Sequence, residues 1–180
     1  EGERFVMLAL SRTDERVRAG KHIAVGFLFA TLLWHEVLKQ WKLREGRGEH
    51  RIPALDAAID DVLERQTEKL AIQRRYTADM REIWMLQPRF ERRTGRNPFK
   101  LLEHLRVRAG YDFLVLRCAA EEAPADLGDW WTRFMHAGEE ERELGRSDVE
   151  PPTHLEHRHR RQFQCRGGFR HGHRLQQLGD

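Results

Sequence analysis

Apolar residues recur at intervals of three and four along most of the chain, and no long stretch alternates apolar and polar positions. This spacing is typical of helices that bury one face. It predicts helices at 5–18, at 25–44, from 53 to about 70, from 77, from 98, at 107–121 and from 124. The sequence therefore predicts an all-α fold, an irregular array of about six to seven helices.

Turn and cap residues set several of these boundaries. Gly20 is expected to stop the first helix, and Thr77 is expected to cap the fourth at its N-terminus. Pro88 should kink that fourth helix. The next break is predicted at Asn97 and Pro98, with Asn97 as the cap and Pro98 in the first turn of a short helix.

Charge is sorted into blocks although the chain carries a net charge of only +3. Basic residues dominate 73–108, acidic residues dominate 121–150, and the end of the chain is rich in His, Arg, Gly and Gln. We predict a helical body at 1–71, a basic helical arm at 72–138, and a disordered tail at 139–180 because its apolar content is low.

Composition excludes several classes of protein. Two cysteines cannot make a disulfide framework and fit a reducing cytoplasm, where we expect the protein to reside. The longest apolar run, at 23–34, is too short to span a bilayer. His154, His157, His159 and Cys165 lack a second ligand pair with zinc-finger spacing, so we predict no metal site there. The chain opens without Met or a signal segment, and we expect a piece of a longer protein.

Basic side chains at helical spacing in 72–117 are the candidate functional residues, because a nucleic-acid backbone binds such surfaces. The candidates are Arg74, Arg75, Arg89, Arg92, Arg93, Arg96, Lys100, Arg106 and Arg108. On a continuing helix, the four arginines from 89 to 96 would share one face. Tyr76 and Phe99 either stack on bases or pack in the core. A solvated face neutralised by neighbouring acids is the alternative to a binding surface.

Four segments resemble the C-terminal half of bacterial poly(A) polymerases, in the nucleotidyltransferase superfamily that includes the CCA-adding enzymes. They are FLFATLLWHEVL (27–38), LAIQRRYTADMREIWMLQPRFERRTGRNPFKLLEH (70–104), RAGYDFLVLR (108–117) and DWWTRF (129–134). Gly110 departs from the family, which usually has Ala there, and this should weaken its helix.

The resemblance implies an RNA-binding region that positions an RNA 3′ end for adenylate addition by a catalytic head. The head, with its Gly-rich turn and metal-binding Asp pair, is expected to be missing here, since Asp56, Asp60 and Asp61 lie on a predicted helix. The intact enzyme would use ATP and Mg²⁺, whereas no cofactor is expected in this chain. Whether this chain alone is an enzyme stays open. The expected partners are single-stranded RNA 3′ ends and the head, with no membrane. A protein-interaction scaffold and a non-functional remnant are the alternatives.

Overall fold

The structure, a computed structural model, describes the backbone of residues 2–144 and the side chains of 2–137. Helices make up most of this part of the chain. The elements are α1 (Gly2–Arg18), α2 (Val25–Gly46), α3 (Arg51–Leu70), α4 (Arg74–Phe90), α5 (Asn97–Leu102), α6 (Val107–Ala119) and α7 (Ala125–Leu144). No strand occurs within 2–144, and the predicted all-α fold is confirmed. Since α7 continues past 138 to Leu144, only 145–180 of the predicted tail lies outside the described residues.

The first of two hydrophobic cores lies where α2 packs between α3 and α4, with α1 and α6 closing one side. Its centre is aromatic: the rings of Phe5 and Trp34 both meet Phe113 edge to face. Their centroids lie 5.3 and 5.4 Å, respectively, from the centroid of Phe113. Trp84 is fully buried and donates its indole N–H to the carbonyl of Ala30 at 3.1 Å. Because this N–H has an acceptor, the Trp84 ring packs between α4 and α2 without leaving a buried polar group unpaired.

The second core lies between the C-terminal half of α4, α5, α6 and α7. Trp131 is fully buried, meets Phe90 edge to face at 4.9 Å, and donates its indole N–H to the Phe90 carbonyl at 2.8 Å. Trp130 stacks on Phe134 at 5.0 Å. Both tryptophans are therefore packing residues of the second core.

A polar junction connects the two cores. Gln87 is fully buried, donates to the carbonyls of Ile83 and Gly110, and accepts a hydrogen bond from the Arg117 guanidinium at 3.3 Å. Arg117 also lies over the Trp34 ring, 5.0 Å from its centroid. Burial lowers the pKa of Arg117, because the charged form loses its hydration.

Two predicted caps are wrong. The fourth helix begins at Arg74, and the Thr77 hydroxyl, inside it, donates to the Arg74 carbonyl at 2.8 Å. Asn97 does not cap its own helix either, because its side chain donates to the carbonyls of Arg89 and Arg92 at 3.0 and 2.6 Å. Pro88 lies inside α4, which continues to Phe90.

Candidate nucleic-acid interface

The segment after α4 turns back instead of extending the helix. α4 ends at Phe90, Gly95 adopts a left-handed conformation with φ of 65°, and Asn97 binds the carbonyls of Arg89 and Arg92. Glycine is favoured there because it carries no Cβ to clash. The expectation that the arginines from 89 to 96 share one helical face is therefore wrong: Arg89 lies on α4 and the others lie on the turn.

A cleft of about 660 Å³ lies beside this turn, and we call it the α3–α4 cleft. Its size falls in the usual range for sites that hold a small ligand or part of a larger one. The apolar lining comes mainly from Ile52, Met85 and Pro88. The polar lining residues are Arg51, Asp56, Arg81, Glu82, Arg89, Glu91, Arg92, Asn97 and His104.

Two of the four arginines in this cleft are neutralised by carboxylates. Arg51 forms an ion pair with Glu91 at 2.6 Å, and its guanidinium lies 4.7 Å from the centroid of the Trp41 ring. Arg81 binds both Asp56 and Asp60. Sequence reasoning did not select Arg51 or Arg81 for the site, because only the packing of α3 on α4 brings them to the turn.

Arg89 and Arg92 form no ion pair with any carboxylate among the described residues. Arg92 is exposed and Arg89 is partly buried, and both line the cleft. Arg96 and Lys100, also exposed, likewise have no carboxylate partner within the described part of the chain. This end of α4 therefore carries positive charge that no carboxylate of the described side chains neutralises.

Three other candidates are held by acids. Arg93 binds Asp126 of α7 at 2.9 Å. Arg106 binds Asp79 and also approaches Glu82 at 3.5 Å, both on α4. Arg108 pairs with Asp112 one helical turn later, at 3.3 Å. Each of these pairs leaves less charge available to an external anion.

Arg74 and Arg75 lie apart from the cleft, at the opposite end of α4. Arg89 lies fourteen positions after Arg75, which at a rise of about 1.5 Å per residue is about 20 Å along the helix. Gln73 precedes them and provides no side-chain cap. Arg75 lies over the ring of Tyr76, 4.7 Å from its centroid, and donates to the Tyr76 hydroxyl at 2.8 Å.

Both aromatic candidates contact the cores. Tyr76 packs against the first core, with its ring 6.2 Å from Phe29. Phe99 packs against the second core and meets Phe134 edge to face at 5.4 Å. Both remain partly exposed, so packing is one role of each ring.

The acids of α3 do not fit a site for catalytic Mg²⁺, which needs carboxylate oxygens that are not already neutralised. Asp56 and Asp60 bind Arg81, and Asp61 binds Arg44 at 2.6 Å. Among the described residues, no group of three or more His, Cys, Asp and Glu side chains is arranged to hold a metal ion. The His/Cys pattern of 154–165 lies outside them. No helix in the described part has the length and hydropathy needed to cross a membrane.

Comparison with known proteins places these features in a family. The family model described as polymerase A arginine-rich C-terminus matches residues 47–165. Poly(A) polymerase I of Salmonella typhi is 36% identical over 136 residues, covering 74% of this chain and 29% of the relative. The Haemophilus influenzae enzyme of that name is 36% identical over 145 residues, or 78% of this chain and 32% of the relative. The chain thus spans roughly a third of the length of these relatives.

Proposed function

Because this chain belongs to the poly(A) polymerase family, as its arginine-rich C-terminal region, we propose that it binds single-stranded RNA. It would hold an RNA 3′ end so that a catalytic head of the same enzyme adds adenylate, using ATP and Mg²⁺ bound by that head. The part of the described residues is to bind and orient the polyanion.

The observation that carries this proposal is the charge of Arg89 and Arg92 at the α3–α4 cleft, which no carboxylate within residues 2–137 neutralises. A guanidinium group offers a planar fork of N–H donors that matches two phosphate oxygens. Contact with phosphates reads no bases, so binding would be independent of sequence. Arg96 and Lys100 would extend the contact, since both are exposed and on the same turn and short helix.

The N-terminus of α4 supports a second backbone contact. Arg74 and Arg75 occupy its first turn, where the helix dipole is positive and no acid is present to offset it. Backbone N–H groups at an uncapped helix start bind phosphate well. Two arginines at this position destabilise the helix when no anion is bound, and they attract an anion to this end of the helix.

The test is RNA binding by the full 180-residue chain, followed by fluorescence anisotropy of a labelled single-stranded oligoadenylate. Arg89→Glu/Arg92→Glu should weaken binding by at least about tenfold, because both phosphate contacts become repulsive. The matched control is Lys39→Glu/Lys42→Glu, which makes the same change of net charge at exposed positions that do not line the cleft. Equal effects of the two variants would overturn the assignment of the cleft.

A protein-interaction scaffold is the second candidate, and the Arg93–Asp126 pair favours it, since a basic residue of this turn already binds an acidic helix start. A separately purified head domain would then bind the chain tightly, and oligoadenylate would not compete. Competition between the head and oligoadenylate for the wild-type chain would contradict the scaffold and support RNA binding.

A further inference from the structure

A second concave surface lies between α1, the start of α2, the α5–α6 turn and α6, and we call it the α1–α6 groove. Its volume is about 860 Å³, larger than that of the α3–α4 cleft. Its lining from 9 to 28 lies outside the part of the chain that the family model matches. No candidate from the sequence analysis lies in this part of the lining.

Positive charge dominates the rim of the groove. Five basic side chains line it, from Arg12, Arg16, Lys21, Arg106 and Arg108, against the carboxylates of Glu15 and Asp112. The groove is therefore complementary to a polyanion.

Two of these basic groups are available to a ligand. Arg12 and Lys21 are exposed, and neither forms an ion pair or side-chain hydrogen bond with any other described residue. Arg16 donates to the carbonyl of His22 at 3.0 Å, which fixes it beside Lys21 without neutralising its charge. Glu15 and Asp112, the second of which is paired with Arg108, offset part of this positive charge.

Apolar surface lies between these charges. Phe27 and Leu28 are partly buried and line the groove. Leu105 also lines it and is 86% exposed, the most exposed large apolar side chain in the described part of the chain. Apolar side chains bordered by cations suit an unpaired base with its phosphate, because an aromatic ring such as that of Phe27 can stack on a base while the cations face the charged backbone.

The groove adjoins the α3–α4 cleft. His104 lines the cleft, whereas the next two residues, Leu105 and Arg106, line the groove. Arg106 also reaches Glu82, which belongs to the cleft lining. A strand that leaves the cleft therefore needs to cross only the short turn at 103–106 to enter the groove.

We propose that the α1–α6 groove is a second RNA subsite, in which the single strand held by the α3–α4 cleft continues over Leu105. Arg12 and Lys21 contact its phosphates, and Phe27, Leu28 and Leu105 contact its bases. This inference rests on the proposed function, since it names where the same RNA runs. An acidic polypeptide is the competing occupant; the apolar side chains in the lining of the groove and its position next to the cleft favour RNA.

Lysine footprinting on the full wild-type chain tests whether bound RNA covers the groove, and it requires no mutation. Acetylation of Lys21 should slow severalfold when oligoadenylate is bound, while Lys39 and Lys42 react as before, because those exposed lysines of α2 line neither surface. Unchanged acetylation of Lys21 at saturating RNA would overturn the second subsite.

Variants test how much the groove contributes to the affinity for oligoadenylate. Arg12→Glu/Lys21→Glu should weaken oligoadenylate binding by about three- to tenfold relative to Lys39→Glu/Lys42→Glu, since two phosphate contacts are reversed. Leu105→Ser should weaken it as well without changing the melting temperature, because so exposed a side chain contributes little to the core.

The outcomes separate the two proposals. If Arg12→Glu/Lys21→Glu matches its control while Arg89→Glu/Arg92→Glu weakens binding, the groove is not an RNA subsite and the proposed function stands. If neither pair weakens binding, both proposals fail. If the groove variant loses binding of polyglutamate and keeps that of oligoadenylate, the occupant is an acidic polypeptide and the RNA subsite is overturned.

Discussion

Two neighbouring arginines of the turn after α4 differ in what holds them. Arg92 is exposed and has no carboxylate partner within the described residues, whereas Arg93 is partly buried and binds Asp126. Sequence reasoning assigned both to RNA, because spacing alone does not tell which arginine a distant acid will meet. The fold assigns Arg93 to the contact between the turn and α7.

This difference predicts opposite effects of single substitutions. Arg92→Gln should weaken oligoadenylate binding severalfold and leave the free energy of unfolding unchanged. Arg93→Gln should lower that free energy by about 0.2–1 kcal/mol, the usual range for a surface ion pair, with a smaller effect on binding. Urea unfolding and anisotropy measure the two quantities; a larger loss of binding in Arg93→Gln would contradict the assignment.

Asp112 gives a pH-dependent prediction. Burial raises the pKa of its carboxyl, and Arg108, Arg16 and Arg12 only partly oppose this. With its pKa higher in the folded than in the unfolded chain, Asp112 favours folding less as the pH rises through the folded pKa. Asp112→Asn should therefore gain stability relative to wild type as the pH is raised from below the ordinary carboxyl pKa to neutral. Urea unfolding at both pH values checks it; a difference that shrinks toward neutral pH would contradict it.

α4 shows both what periodicity predicts and where it stops. Apolar residues recur along it at intervals of three and four, and four of them, Met80, Ile83, Trp84 and Phe90, are buried. Its first turn was misplaced because Gln73 offers no capping signal, while Thr77 resembles a cap and lies inside the helix. Its last turn was misplaced because Asn97, seven residues beyond Phe90, binds two carbonyls at its end. Local patterns identify the helix, and tertiary hydrogen bonds set its ends.

Substitution of the two arginines in the first turn of α4 is predicted to raise the stability of the fold and to weaken RNA binding. Arg74→Gln/Arg75→Gln removes two cations from the positive end of the helix dipole. Removal of Arg74 should stabilise the fold by about 0.3–1 kcal/mol at low salt, and removal of Arg75 by less, because its contact with Tyr76 is lost. The same variant should bind oligoadenylate more weakly. Thermal melting and anisotropy at one ionic strength measure both; a destabilised variant with unchanged affinity would show that these arginines serve the fold.

The packing of α6 on α4 depends on a residue that the sequence marked as a weakness. Gly110 was expected to weaken α6, yet a Cβ at this position would lie 2.8 Å from Leu86 Cδ1 and 3.1 Å from Phe90 Cε2. Both neighbours are buried, which leaves them little room to move. Glycine therefore permits the close approach of two helices, an effect that no single-helix propensity contains.

Taken as a whole, the molecule combines a fold that its sequence predicts well with a site that it predicts in part. Apolar spacing predicts the helices, because burial of one face is a local property of each helix. The clefts join residues such as Arg51 and Arg92, or Lys21 and Leu105, which are far apart in sequence. Charge pairing across helices decides which arginines remain available, and this depends on the packing.

The salt dependence of oligoadenylate binding tests the central claim most directly. Each phosphate contact to a single strand contributes about 0.7 to the slope of log affinity against log salt concentration. Arg89→Gln/Arg92→Gln should therefore reduce the magnitude of that slope by about 1.4 relative to the wild-type chain, while Lys39→Gln/Lys42→Gln leaves it unchanged. An identical slope for the wild type and Arg89→Gln/Arg92→Gln would contradict phosphate binding by these two arginines.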